Sequence, residues 1–234
     1  MSSPLVVMAG TGSDDDYARR AFGPAAQAAQ IPLVALPPGA ELVDEYLRAL
    51  DELADRDGPI LVGGVSIGAS VATRWALRAG SRSCAGVWAA LPPWSGEPAG
   101  SVAAASAKAT ADALTRDGLT ATIDAMAASS PPWLAAELTR SWTALYPALV
   151  EQLRAAATMV GPTPGELEHL AVPLSVVVSD DDPLHPAAVG EEWAAAAPRS
   201  ALRRTTLDAW GHEPATLGRL AAQAWTQARQ SESV

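Results

Sequence analysis

Five short aliphatic runs, each closed by Gly, Pro or an acidic turn, constrain this chain more than any other feature. They read "PLVVMAG" (4–10), "IPLVALPP" (31–38), "PILVGGV" (59–65), "CAGVWAALPP" (84–93) and "PLSVVVSD" (173–180). The runs are near-continuous rather than alternating, which is the pattern of strands covered on both faces of a parallel sheet. A sixth run, "ALRRTTLD" (201–208), is more polar and reads as an edge strand. Helical stretches lie between the runs. In 40–55, Val43, Tyr46, Leu47, Leu50 and Leu53 fall on one face, and 67–79 and 213–229 pattern the same way. Strands alternating with helices predict an α/β fold, with about six strands in a mostly or wholly parallel sheet and helices on both faces.

One interval breaks the rhythm. From Pro93 to Pro173 there is no strand pattern, but helix patterns run over 101–117, 132–145 and 147–159. Pro147 suits the first position of the last helix, where its missing N–H costs nothing. The interval reads as a helical insertion, 94–165, in a core made of 1–93 and 166–234. A chain of 234 residues suits one domain with such an insertion.

Charge and composition remove several classes of function. The formal net charge is −10, which argues against nucleic acid as a partner. The lone cysteine, Cys84, heads an apolar run and reads as a small buried hydrophobe. No stretch approaches the roughly 20 apolar residues of a membrane span. The start, "MSSPLVVMAGTG", lacks a basic segment and a signal-length apolar run, so the expected location is the cytoplasm. The end, "RQSESV", reads as a loose tail. "GTGSDDD" lacks the Lys and the spacing of a phosphate loop, and no His/Cys cluster suggests metal ligation. No metal or other cofactor is expected.

The chemistry-bearing segment is "GVSIG", 64–68. It leaves a predicted strand and opens a predicted helix, the context that G-x-S-x-G requires. A turn this sharp strains the serine backbone and needs small residues two before and two after, here Gly64 and Gly68. The helix N-terminus beneath Ser66 favours developing negative charge. Ser66 is therefore the candidate nucleophile.

A serine nucleophile needs a base, and the base an orienting carboxylate. The chain has three histidines. His169 is on a predicted helix ahead of a strand, and His185 is in a loop that starts a helix. His212, in "DAWGHEP", stands directly after the last predicted strand, where catalytic groups of parallel sheets gather. His212 is the expected base. The acid is expected after "PLSVVVSD", where Asp180, Asp181 and Asp182 stand side by side and some of them can cap the following helix.

The order of "GVSIGAS", "SDDDPLHP" and "WGHEP" along this strand pattern resembles the α/β-hydrolase superfamily over nearly the whole chain. The resemblance implies Asp182 as the acid, because Pro186 follows it by four residues, and a terminal Gly-His at His212. It implies an oxyanion hole from the N–H groups of Ile67 and Thr11, and it makes the insertion a cap. Two features depart from the family pattern. The first strand resembles the family's third, so the sheet is expected to lack the usual N-terminal hairpin, and the His-Gly turn after that strand is here Ala9-Gly10-Thr11-Gly12.

The resemblance implies a cofactor-free serine hydrolase cleaving an ester of a small or medium apolar acyl group through an acyl-enzyme. A serine at the elbow points to acyl chemistry, unlike the Asp of haloalkane dehalogenases and epoxide hydrolases. A thioesterase, an acyltransferase and a C–C bond hydrolase share the same triad, and a non-catalytic ligand-binding relative is the rival of another class. Trp94, Trp133, Trp142 and Tyr146 are candidates for an apolar substrate pocket or for packing within the insertion. The oligomeric state is left open.

Overall fold

The computed structural model describes residues 3–230. Its six strands form one sheet: β1 (Leu5–Met8), β2 (Leu33–Leu36), β3 (Ile60–Val65), β4 (Cys84–Ala90), β5 (Leu174–Ser179) and β6 (Ser200–Thr205). The order is β2-β1-β3-β4-β5-β6, and every pairing is parallel. Val6 stands opposite Val34 on one side and Val62 on the other, and Val62 in turn opposite Val87.

Helices α1 (Asp15–Ala28), α2 (Leu42–Asp57) and α3 (Ile67–Ser83) connect the first four strands. Helices α4 (Val102–Ala128), α5 (Pro132–Leu145), α6 (Leu149–Thr158) and α7 (Pro164–Leu167) fill the interval between β4 and β5. Helix α8 (Ala187–Ala196) joins β5 to β6, and α9 (Leu207–His212) and α10 (Ala215–Gln230) follow.

Strand periodicity explains the continuous apolar runs. Val6 and Met8 pack with Tyr46 and Leu50 of α2, Trp75 of α3 and Trp193 of α8. Leu5 and Val7 point the other way, into a second core with Phe22 of α1 and Leu217 and Ala221 of α10. Alternate residues of one strand thus feed opposite cores, and both sets must be apolar. β2 departs from this expectation: it lies at the sheet edge and three of its four residues are only half-buried.

After β2 the chain crosses back over β1 to form β3. The C-terminal ends of β1 and β3 therefore flank the point where the direction of winding reverses, the usual place for a ligand crevice in such sheets. Ser66 follows β3 there, and Gly10 follows β1.

Several boundaries differ from the sequence reading. Helix α4 runs on to Ala128 instead of ending at 117, with Gly118 breaking its helical geometry at φ 79°. Helix α6 begins after Ala148, so Pro147 precedes it. β6 stops at Thr205, because Thr206 accepts the Ala209 N–H through its side chain and starts α9. Arg229 and Gln230 of the expected tail belong to α10, and 231–234 lie outside the described residues. Among the described residues no helix is long and apolar enough to cross a membrane.

Candidate active site

The elbow is tight. Ser66 has φ 56° and ψ −119°, a left-handed backbone that a non-glycine residue seldom holds. Its N–H donates to the Ala90 carbonyl of β4 (2.9 Å), and its own carbonyl accepts from Ala69 and Ser70, the first turn of α3. A Cβ on Gly64 would stand 2.5 Å from the Gly68 carbonyl carbon, and one on Gly68 would stand 2.5 Å from the Met8 carbonyl oxygen. Strand, helix and β1 meet so closely that only hydrogen fits at both positions.

The Ser66 hydroxyl lies 2.9 Å from His185 Nε2, and His185 Nδ1 lies 2.7 Å from Asp182 Oδ2. The expectation that His212 would face Ser66 is not met. His212 ends α9, and its exposed side chain sits with Nδ1 3.0 Å from the Asp208 carbonyl oxygen and 3.2 Å from the Asp208 carboxylate. The physical reason is local. Helix α9 turns the His212 ring outward, whereas the loop after β5 folds sharply back on itself. Asp182 Oδ1 accepts the N–H groups of Leu184 (2.9 Å) and His185 (3.3 Å), and this turn brings the His185 ring over Asp182 Oδ2. The signal for it was present in the sequence, an Asp and a His three residues apart in the loop after β5.

No family model and no curated protein matches the sequence. Solved structures do match. BpoC of Mycobacterium tuberculosis H37Rv, described as a non-heme bromoperoxidase, superposes with a TM-score of 0.72 at 20% identity, over 97% of this chain and 93% of that one. A bromoperoxidase from Bacillus anthracis gives 0.72 at 17% identity, over 95% and 91%. The enol-lactonase from Burkholderia xenovorans LB400 gives 0.65 at 17% identity, over 89% and 84%. The chain has the α/β-hydrolase fold. In this α/β-hydrolase frame the sheet is six-stranded and wholly parallel.

The three adjacent aspartates of the loop after β5 have separate partners. Asp180 pairs on the surface with Arg204. Asp181 accepts from the Ser179 hydroxyl (3.1 Å) and from the Leu207 N–H (2.6 Å), tying the loop to the start of α9. Asp182 is buried, with its side chain 4% exposed. Burial pushes its carboxyl up, but the hydrogen bond and charge of His185 and the N–H groups of Leu184 and His185 outweigh that and hold it below the ordinary value of 3.8. An ionised Asp182 only accepts, so a neutral imidazole that donates to it through Nδ1 can accept from Ser66 through Nε2.

Gly10 adjoins Ser66: a Cβ there would lie 3.3 Å from Ser66 Cβ. Its carbonyl accepts the Ser13 N–H (3.1 Å), which closes a turn over Gly10–Ser13. Thr11 is inside that turn, and Ile67 is the first residue of α3, whose leading N–H groups have no acceptor within the helix.

The tryptophans divide. Trp94 is buried in the core that holds α2 and α3, and its Nε1 donates to the Met159 carbonyl (3.1 Å). It packs the base of the α4–α7 segment. Trp142 is buried with Leu114, Leu149 and Leu153 in a small core among α4, α5 and α6. Trp133 is half-buried between Trp210 (centroids 5.4 Å apart, edge-on) and His212 (6.4 Å). Tyr146 is exposed.

His169 lies just past α7. Cys84 is buried, and burial pushes its thiol up to about 12. Among the described residues no group of three His, Cys, Asp or Glu side chains could hold a metal ion.

Proposed function

We propose that the chain is a serine hydrolase that cleaves a carboxylic ester of a small or medium apolar acyl group. The observation that carries this reading is the continuous hydrogen-bond line from Ser66 Oγ through His185 to Asp182, at 2.9 Å and 2.7 Å.

Ser66 Oγ attacks the ester carbonyl while His185 Nε2 takes its proton. The carbonyl π-electrons move to oxygen, and the N–H groups of Ile67 and Thr11 hold that oxyanion. When the tetrahedral species collapses, His185 returns the proton to the departing alkoxide, and the acyl group stays on Ser66. Water then repeats the sequence, with His185 again as base, and releases the acid. Asp182 keeps the His185 ring in the required tautomer and balances the imidazolium. No step needs a cofactor. The enol-lactonase among the similar structures acts on an ester linkage by its name, which supports acyl transfer as the chemistry.

The α4–α7 segment acts as a cap in this reading. Trp133, and Trp142 less directly, shape the acyl side. A fluorophosphonate probe should label the wild-type protein at Ser66. Ser66→Ala should lose the label and reduce ester turnover by about 10⁴-fold or more while keeping its melting temperature. Full labelling of the folded variant would remove Ser66 from the mechanism.

A further inference from the structure

Helix α5 grips the turn beside the nucleophile with three consecutive residues. The Ser141 hydroxyl, fully buried, donates to the Gly12 carbonyl (2.7 Å). Arg140 makes two hydrogen bonds to the Asp14 carboxylate, at 2.7 and 2.9 Å, and a third to Glu137 at 2.6 Å. Trp142 covers Gly12 so closely that a Cβ there would stand 2.7 Å from its Nε1. Asp14 is also the N-cap of α1, accepting the Tyr17 N–H.

The turn held in this way orients one peptide group next to Ser66. Gly12 has φ 75°, and the Gly10 carbonyl accepts from Ser13, so Gly10–Ser13 is a turn of the kind that needs a left-handed third residue. In a trans peptide the N–H points opposite to the carbonyl. The Gly10 carbonyl is directed inward to Ser13, so the Thr11 N–H is directed out of the turn. A rotation about the Gly12 backbone would release this arrangement. The Ser141 hydroxyl on the Gly12 carbonyl opposes that rotation.

We propose that Ser141 is a positioning residue that holds the Gly10–Ser13 turn in its oxyanion-binding form, with the Arg140–Asp14 pair as its brace. Helix α5 then does more than cover the site: it sets the oxyanion geometry. The inference rests on the serine-hydrolase reading. A misplaced donor lowers the transition-state charge stabilisation and leaves ground-state binding nearly unchanged.

The test compares wild type, Ser141→Ala, Ser141→Thr and Arg140→Gln. The measurements are kcat and KM for p-nitrophenyl butyrate, inhibition by a trifluoromethyl ketone that forms a tetrahedral adduct, and amide exchange over 10–13. Ser141→Ala should lower kcat by about 10- to 100-fold, weaken the ketone by a similar factor and leave KM within about threefold. Exchange over 10–13 should quicken while β1 and β3 stay protected. Ser141→Thr, which keeps the hydroxyl, should recover most of the loss. Unchanged kcat and unchanged exchange in Ser141→Ala would overturn the proposal. If that variant fails to fold, Arg140→Gln at a half-exposed position carries the same expectation and the same refutation. A wild type that turns over no ester and takes no fluorophosphonate would sink the serine-hydrolase reading instead, and exchange over 10–13 would still decide whether Ser141 holds the turn.

Discussion

Asp180, Asp181 and Asp182 are neighbours of one residue type, yet each meets a different environment. Asp180 shares Arg204 with Glu191 at the surface, Asp181 accepts the first N–H of α9, and Asp182 is buried against His185. Surface pairs contribute little, so Asp180→Asn should stay near wild type in both melting temperature and turnover. Asp182→Asn should cost about 10²–10⁴ in kcat with little change in KM, since base and oxyanion hole remain. If Asp182→Asn is near wild type while Asp181→Asn or Asp208→Asn collapses, the acid is misassigned. The histidines separate in the same way. His185→Ala should be as damaging as Ser66→Ala, because the two act as a unit, whereas His212→Ala should stay within a few-fold of wild type. Loss of turnover in His212→Ala, with His185→Ala active, would reverse the assignment of the base.

At the scale of elements, two arrangements border Ser66: the β3–α3 elbow, and the contacts of α5 with Gly12 and Asp14. Gly64→Ala places a methyl against the Gly68 backbone and the Met8 carbonyl, neither of which is a flexible side chain. It should destabilise the protein by about 1–3 kcal/mol, read from chemical denaturation. A neutral result would mean that the strand and helix are less closely apposed than described. The α5 contacts carry a pH signature. Burial raises the Asp14 carboxyl, but its bonds to Arg140 and to the Tyr17 N–H bring it below 3.8 in the folded protein. A folded value below the unfolded one means that the unfolded chain binds protons first as pH falls. The stabilisation is therefore complete above 3.8 and is lost as pH drops through the folded value. Wild type should lose more melting temperature than Asp14→Asn when taken from about pH 5 to about pH 3. Parallel acid sensitivity in the two proteins would show that the pair does not hold α5.

On the scale of the whole molecule, the two cores flanking the sheet contrast with a smaller core among α4, α5 and α6. That one is built around Ala107, Ala111, Leu114, Trp142, Leu149 and Leu153. A unit with few buried apolar contacts opens locally before the rest of the fold. Native-state hydrogen exchange should find α4–α6 opening at lower denaturant than β1, β3, β4 and β5. A single opening transition for all of them would mean that α4–α6 and the sheet form one cooperative unit.

The sheet was legible in the sequence because each central strand feeds two cores and so cannot tolerate a polar face. Val6 and Val7, adjacent in sequence, are both fully buried on opposite sides. The elbow was legible too, because strand, turn and helix are contiguous in the sequence, although what keeps Gly68 a glycine is the backbone of Met8 and Ala9 from β1 and the turn after it. The pairing of Ser66 with a histidine was not, since it joins the end of β3 to the loop after β5, 119 residues apart. Both His185 and His212 follow strands near that end of the sheet, and their ring directions depend on backbone turns rather than on residue type. The turn made by Asp182 brings one ring inward, and α9 turns the other outward. The sequence by itself determined which strands must be buried and where the sharp turn at Ser66 must stand, because both are written in runs of contiguous residues. Only tertiary structure decided which histidine reaches Ser66 and which helix touches the neighbouring turn, because those depend on where distant backbone segments come together.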